Sequence, residues 1–179
     1  MRMCPLLCLC LTLALLLSSC SLGAALPPSA SEVLAVMLET MQKSCQPLPD
    51  GRIYDRSLSQ GAPLYLSDTF LSALYGEAAR GLFASDDGGA PPVSDAAIFL
   101  SLAAYPCELA VFRCSDARTA ATLASLCRSR LDSLARGYAA TEWASLASRS
   151  QVSVKGCFVL LALCDDPPRV IRAARGATP

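Results

Sequence analysis

The sequence predicts an α+β domain of two layers, an antiparallel sheet of about four strands with helices packed on one face. Three observations predict it. Several segments carry apolar residues at helical spacing. Short runs rich in β-branched and aromatic residues are joined by gaps as tight as Pro106 and Lys155-Gly156, too short for anything but antiparallel neighbours. One of those runs, Cys157 to Cys164, is apolar on both faces, as a covered central strand should be.

The first helix follows a short segment containing Pro27-Pro28. Ser29 and Glu32 have capping-box spacing, with Ser31 as an alternative cap. Leu34, Met37, Leu38, Met41 and Cys45 then recur on one face, and this Met-bearing stripe is expected to be core. Pro47, Pro49, Asp50 and Gly51 end it in a loop. A shorter helix is expected over 67–75: Ser67 caps it, Asp68 sits at the positive end of the helix dipole, and Gly76 suits the stop. Residues 79–84 are expected to form a short strand, and Asp86-Asp87-Gly88-Gly89 a solvated turn without calcium-loop spacing.

From Ala96 the texture changes. Ala97 to Leu102 and Glu108 to Cys114 are predicted as an antiparallel strand pair broken by Pro106. Ser115-Asp116 opens a long helix to about Tyr138, with Ala120, Leu123, Ala124, Cys127, Leu131, Leu134, Ala135 and Tyr138 as its stripe. Arg118, Arg128, Arg130 and Arg136 fall largely outside that stripe. A second helical piece is placed around Trp143. Strands over 151–154 and 157–164 follow, then a final helix through Arg172, with Arg169, Arg172 and Arg175 on a solvated side.

At 179 residues the chain has room for one domain after a leader. The leader is legible. Arg2 is a thin basic start, and the apolar run from Cys4 to Leu17 covers 14 residues, short of the roughly 20 that a membrane-spanning helix needs. Leu17-Ser18-Ser19-Cys20 fits a lipobox, in which the cysteine is lipidated and becomes the new N-terminus. The alternative is ordinary signal-peptidase cleavage after Gly23-Ala24-Ala25, freeing a secreted protein from Leu26. The Leu-Ser-Ser-Cys order is the more restrictive match and is favoured. The organisation expected is a signal peptide over 1–19, a lipidated tether over 20–31 and a single α+β domain over 32–175.

Charge and composition exclude more than they assign. The chain holds 15 basic and 15 acidic residues, so nothing points to nucleic acid or to a polybasic membrane surface. There is no histidine, which removes the commonest general base and the commonest metal ligand. No nucleophile elbow, Ser-x-x-Lys, phosphate loop or dinucleotide fingerprint occurs, and neither a cofactor nor a metal is implied.

Three stretches resemble a known family: Glu108-Leu109-Ala110-Val111-Phe112-Arg113, the capped arginine-rich helix ending near Tyr138, and Val154-Lys155-Gly156-Cys157-Phe158-Val159. Together with the lipobox and Leu74-Tyr75-Gly76, they resemble the domain of unknown function carried by small lipoproteins of Gram-positive gut bacteria. The resemblance is best over 96–165 and thin over 31–95. Cys157-Phe158 stands where that family has Asn-Tyr, and most of its lysines are here arginine or alanine. It implies a fold and a location and carries no activity.

Of ten cysteines, Cys4, Cys8 and Cys10 lie in the leader and Cys20 is the anchor, leaving Cys45, Cys107, Cys114, Cys127, Cys157 and Cys164. Cys107 and Cys114 bracket one predicted strand seven residues apart, and Cys157 and Cys164 bracket another at the same spacing. If the strands are antiparallel neighbours, Cys107 meets Cys164 and Cys114 meets Cys157, on opposite faces. The six cysteines permit 15 disulfide connectivities. The favoured expectation is that all six are small buried apolar residues, because the resemblance points to anaerobic hosts that oxidise few exported thiols.

The function expected is therefore that of a membrane-anchored extracytoplasmic lipoprotein, a non-catalytic binding or scaffolding module of the cell envelope. Its partners are the membrane, through acylated Cys20, and an envelope protein or ligand. The alternative is a secreted or anchored envelope hydrolase using carboxylates, with Glu108, Asp165 and Asp166 as the least poor candidates.

Overall fold

A strand that is apolar on both faces has to be covered on both faces. The computed structural model describes residues 26–44, 48–84, 88–102 and 105–179. Among the described residues, β1 (Gly51–Asp55), β2 (Val93–Ser101), β3 (Glu108–Cys114), β4 (Gln151–Lys155) and β5 (Phe158–Leu163) form one sheet in the order β1-β2-β3-β5-β4. Every neighbouring pair in it is antiparallel. The helices are α1 (Ala30–Gln42), α2 (Asp68–Tyr75), α3 (Arg80–Phe83), α4 (Ala117–Tyr138), α5 (Ala144–Ser148) and α6 (Pro167–Ala177).

Beyond the irregularity between Val93 and Asp95, the side chains of β2, β3 and β5 divide by parity. Ile98, Ala110, Phe112, Val159 and Leu161 face a core completed by Leu71, Phe83, Leu123 and Cys127 from α2, α3 and α4. Ala97, Phe99, Leu109, Val111, Leu160 and Ala162 face a second core, closed by Val33, Leu34 and Met37 of α1 and by Val170, Ile171 and Ala174 of α6. The chain is α+β, as its segments predict. The sheet has five strands rather than about four. Its helices also cover both faces rather than one, because three strands present apolar residues on both sides and neither side can be left to water.

The extra strand is β1, an edge strand whose register pairs Ile53 with Phe99. A side chain at Gly51 would collide with the Phe99 ring, so the strand can start there only with glycine. The short strand expected over 79–84 is instead helical, a 3₁₀ turn at Glu77–Ala79 running into α3. It is short and apolar enough to suit either structure. Burial of Phe83 beside Phe112, with ring centroids 6.0 Å apart, decides the matter.

Local capping matches the sequence closely. Ser29 N–H donates to the Glu32 carboxylate (2.7 Å) and Glu32 N–H to Ser29 Oγ (3.2 Å), a complete capping box. Ser67 Oγ accepts from Phe70 N–H and Asp116 from Thr119 N–H, starting α2 and α4. Gly76 ends α2 at φ 87° and ψ 164°, a conformation open almost only to glycine. The first residues of α1 belong to the packed structure and not to a tether: Ala30 is fully buried and its N–H donates to Asp95 (2.8 Å), while Ser31 Oγ donates to Asp55. The segment expected to be the leader, with Cys20, and also Cys45, Asp86 and Asp87, lie outside the described residues.

Candidate functional site

The best organised polar cluster joins α2, β3 and α4. Glu108 begins β3 and points to the α4 side, where its carboxylate is 3 % exposed. Arg130 reaches it from the fourth turn of α4, with Nε 2.8 and 2.9 Å from the two oxygens and Nη2 2.7 Å from Oε2. Nη1 donates to the Leu74 carbonyl at the end of α2 (3.1 Å). Tyr75 O–H donates to Glu108 Oε1 (3.2 Å), and the guanidinium lies 5.7 Å from the Tyr75 ring centroid. Of the four arginines expected largely outside the apolar stripe, Arg130 therefore turns inward, whereas Arg118, Arg128 and Arg136 are exposed.

The electrostatics follow from burial. Burial pushes the Tyr75 hydroxyl well above its ordinary pKa, and the neighbouring Glu108 charge adds to the rise. Burial is the largest single influence and works against the charged form of Arg130, but hydrogen bonding to Glu108 and the attraction of its charge together outweigh burial and hold the guanidinium pKa above its ordinary value. A cleft of about 330 Å³ opens above, lined by Leu74, Tyr75, Gly76, Ser129, Arg130 and Leu134 among others. Chemically this is a clamp. Both carboxylate oxygens of Glu108 are already taken by donors, so it has little capacity left to accept a substrate proton.

The other candidate carboxylates lie elsewhere. Asp166 caps α6, accepting from Arg169 N–H (3.1 Å). Asp165 and Asp166 line a cleft of about 240 Å³ with Met41, Ser44, Arg169 and Val170, between the end of α1 and the start of α6. Beside it, burial and then the Asp165 carboxylate raise the pKa of Tyr105, whose hydroxyl makes no hydrogen bond of ordinary geometry. This cleft is on the α1–α6 face of the sheet, and Glu108 faces α4. The structure thus brings Asp165 and Asp166 together and keeps Glu108 apart from both. Among the described residues, no cluster of three or more Cys, Asp or Glu side chains is arranged to hold a metal ion.

The cysteines fall where strand parity puts them. Glu108 pairs with Leu163 and Arg113 with Phe158. Continued by one residue at each end, that register sets Cys107 opposite Cys164 and Cys114 opposite Cys157. Cys107 and Cys164 are both in the α1–α6 core, and Cys114 is in the other. All five described cysteines are free thiols; Cys107, Cys114, Cys127 and Cys164 are buried and Cys157 is half-buried. Burial pushes the Cys114 and Cys164 thiols up to about 12 and raises Cys107 and Cys127 as well.

Sequence reasoning missed the Tyr75–Glu108–Arg130 cluster. The available signal was a glutamate opening an otherwise apolar strand, which demands a buried partner. Arg169, Arg172 and Arg175 are all exposed, as expected of a solvated row, and Arg175 in addition donates to Ser153 Oγ (2.8 Å) and the Val154 carbonyl (3.0 Å), tying α6 to β4.

No family model, curated protein or solved structure matches the chain. Among the described residues no helix is long and apolar enough to cross a membrane.

Proposed function

We propose that the chain is an exported lipoprotein, acylated on Cys20, whose α+β domain works at the outer face of the cell membrane as a non-catalytic binding or scaffolding module. The observation that carries the reading is Leu17-Ser18-Ser19-Cys20 closing an apolar run too short to span a bilayer. The packed domain starts at Ser29, and the eight residues between Cys20 and Ser29 reach at most about 30 Å, so the domain stays beside the lipid. A binding role is supported by how the buried charges are used: Glu108, Arg130 and Asp95 all hold helices to the sheet. The hydrolase alternative has no matching support, since Glu108 is saturated with donors and faces away from Asp165 and Asp166.

Metabolic labelling with a fatty-acid analogue tests the anchor. Label is expected on the wild-type chain and lost in Cys20→Ala; equal labelling of the two, or none on either, overturns the assignment and favours cleavage after Ala25. Crosslinking on intact cells followed by recovery tests the binding role. Repeated recovery of the anchored chain with no envelope protein or ligand would refute it.

A further inference from the structure

Strands β3 and β5 carry a cysteine just beyond each end of their shared ladder, and the two facing pairs differ in one decisive respect. Cys107 and Cys164 are both buried, with Cys164 fully enclosed among α1 and α6 side chains. Cys114 is 4 % exposed, but its partner Cys157 is half-buried in the two-residue turn Gly156-Cys157 that joins β4 to β5. Backbone pairing continues to that point, because Cys114 N–H donates to the Cys157 carbonyl (2.8 Å). Residues facing each other across antiparallel strands have Cα atoms about 4.5–5.5 Å apart, and disulfides form across about 4.4–6.8 Å. Parity puts both side chains on the α4 side of the sheet.

We propose that Cys114 and Cys157 are a disulfide-forming site of the folded protein, oxidised by a small-molecule or protein disulfide that reacts first at Cys157. The Cys157 thiolate attacks one sulfur of the oxidant, forming a mixed disulfide as the oxidant's own S–S bond breaks and one thiolate leaves. Cys114 loses its proton to water and attacks the Cys157 sulfur, forming the Cys114–Cys157 bond and expelling the second thiolate. The two protein thiols lose two electrons, the oxidant disulfide gains them, and the protons end on the two released thiols. Cys107 and Cys164 have the same facing geometry but both are buried, so in the folded chain they stay reduced. Burial of Cys114, which holds its thiol up at about 12, makes the second step the slower one. The bond would fasten the turn between β4 and β5 to the end of β3. The proposal rests on strand register and exposure, independently of where the chain resides.

The test is peptide mapping after the reduced, folded full chain is incubated with oxidised glutathione, acid-quenched, alkylated under denaturing conditions and digested with trypsin. The expected product links the peptide 114–118 to the peptide 156–169, with fragmentation between Cys157 and Cys164 placing the bond on Cys157. Cys107, Cys127 and Cys164 are expected to be alkylated. Glutathione retained on Cys157 beside an alkylated Cys114 overturns the proposal, as does a bond joining Cys157 to Cys127 or Cys107 to Cys164. In Cys114→Ser the mixed disulfide is expected to accumulate on Cys157. An unmodified Cys157 in that variant, with circular dichroism matching the wild type, refutes its role as the first sulfur to react.

Discussion

Replacing Arg130 with methionine removes the guanidinium while keeping much of the apolar stem. Three N–H contacts to Glu108 at 2.7–2.9 Å disappear, along with the 3.1 Å bond to the Leu74 carbonyl. The carboxylate, 3 % exposed, keeps a single donor, the Tyr75 hydroxyl at 3.2 Å. Stranding one member of a buried ion pair costs about 3–5 kcal/mol. The Arg130 side chain is 18 % exposed, so some water reaches the site, and the lower end, about 3 kcal/mol, is expected. For a domain of this size that lowers Tm by about 6–12 °C. The assay is equilibrium unfolding in urea, with the midpoint falling and the slope unchanged. Removing all three polar partners, in Glu108→Leu with Arg130→Met and Tyr75→Phe, should be less destabilising than Arg130→Met alone, because no charge is then left buried. A loss below about 1 kcal/mol for the single variant, or a triple variant no better than the single, would refute the buried-charge account.

Two further outcomes follow from local geometry. Gly76→Ala forces a side chain into φ 87°, ψ 164° and is expected to cost about 1–3 kcal/mol in urea unfolding; no measurable change would contradict the conformation. Asp116 accepts the Thr119 N–H at the start of α4, and that bond holds its pKa below the ordinary 3.8. A depressed folded-state pKa means the contribution is complete above 3.8 and is lost as pH falls through the lower folded value. The difference in urea midpoint between wild type and Asp116→Asn should therefore shrink on acidification through that range, and a difference independent of pH would refute it.

Much of this molecule is written in short-range signals. The capping box at Ser29 and Glu32, the caps at Ser67 and Asp116, and the glycine stop at Gly76 act within one helical turn, so residue order determines them wherever the helix packs. Parity along 107–114 and 157–164 likewise carried the facing of the cysteines, because a two-residue repeat needs only the pairing to become a contact. The apolar run of β5 already required cover on both faces. Expecting helices on one face failed to carry that requirement through.

Other features are set from outside their own segment. Arg-Ile-Tyr at 52–54 becomes a strand only because the β2 edge is there to pair with it. Residues 77–83 turn helical because Phe83 must meet Phe112 from the neighbouring strand. Arg130 shares its helix with three solvated arginines, and only the position of Glu108, 22 residues earlier and buried at the head of β3, turns it inward. The sequence by itself determined where α1, α2 and α4 begin and where β3 and β5 run, and strand parity then fixed which cysteines face each other once those two strands paired, since these follow from the chain's own periodicity and local hydrogen bonding. The tertiary structure alone decided the strand order, the second helical layer and the buried ion pair. Each of those depends on the free energy of removing a particular surface or charge from water, which no residue carries until its neighbours are in place.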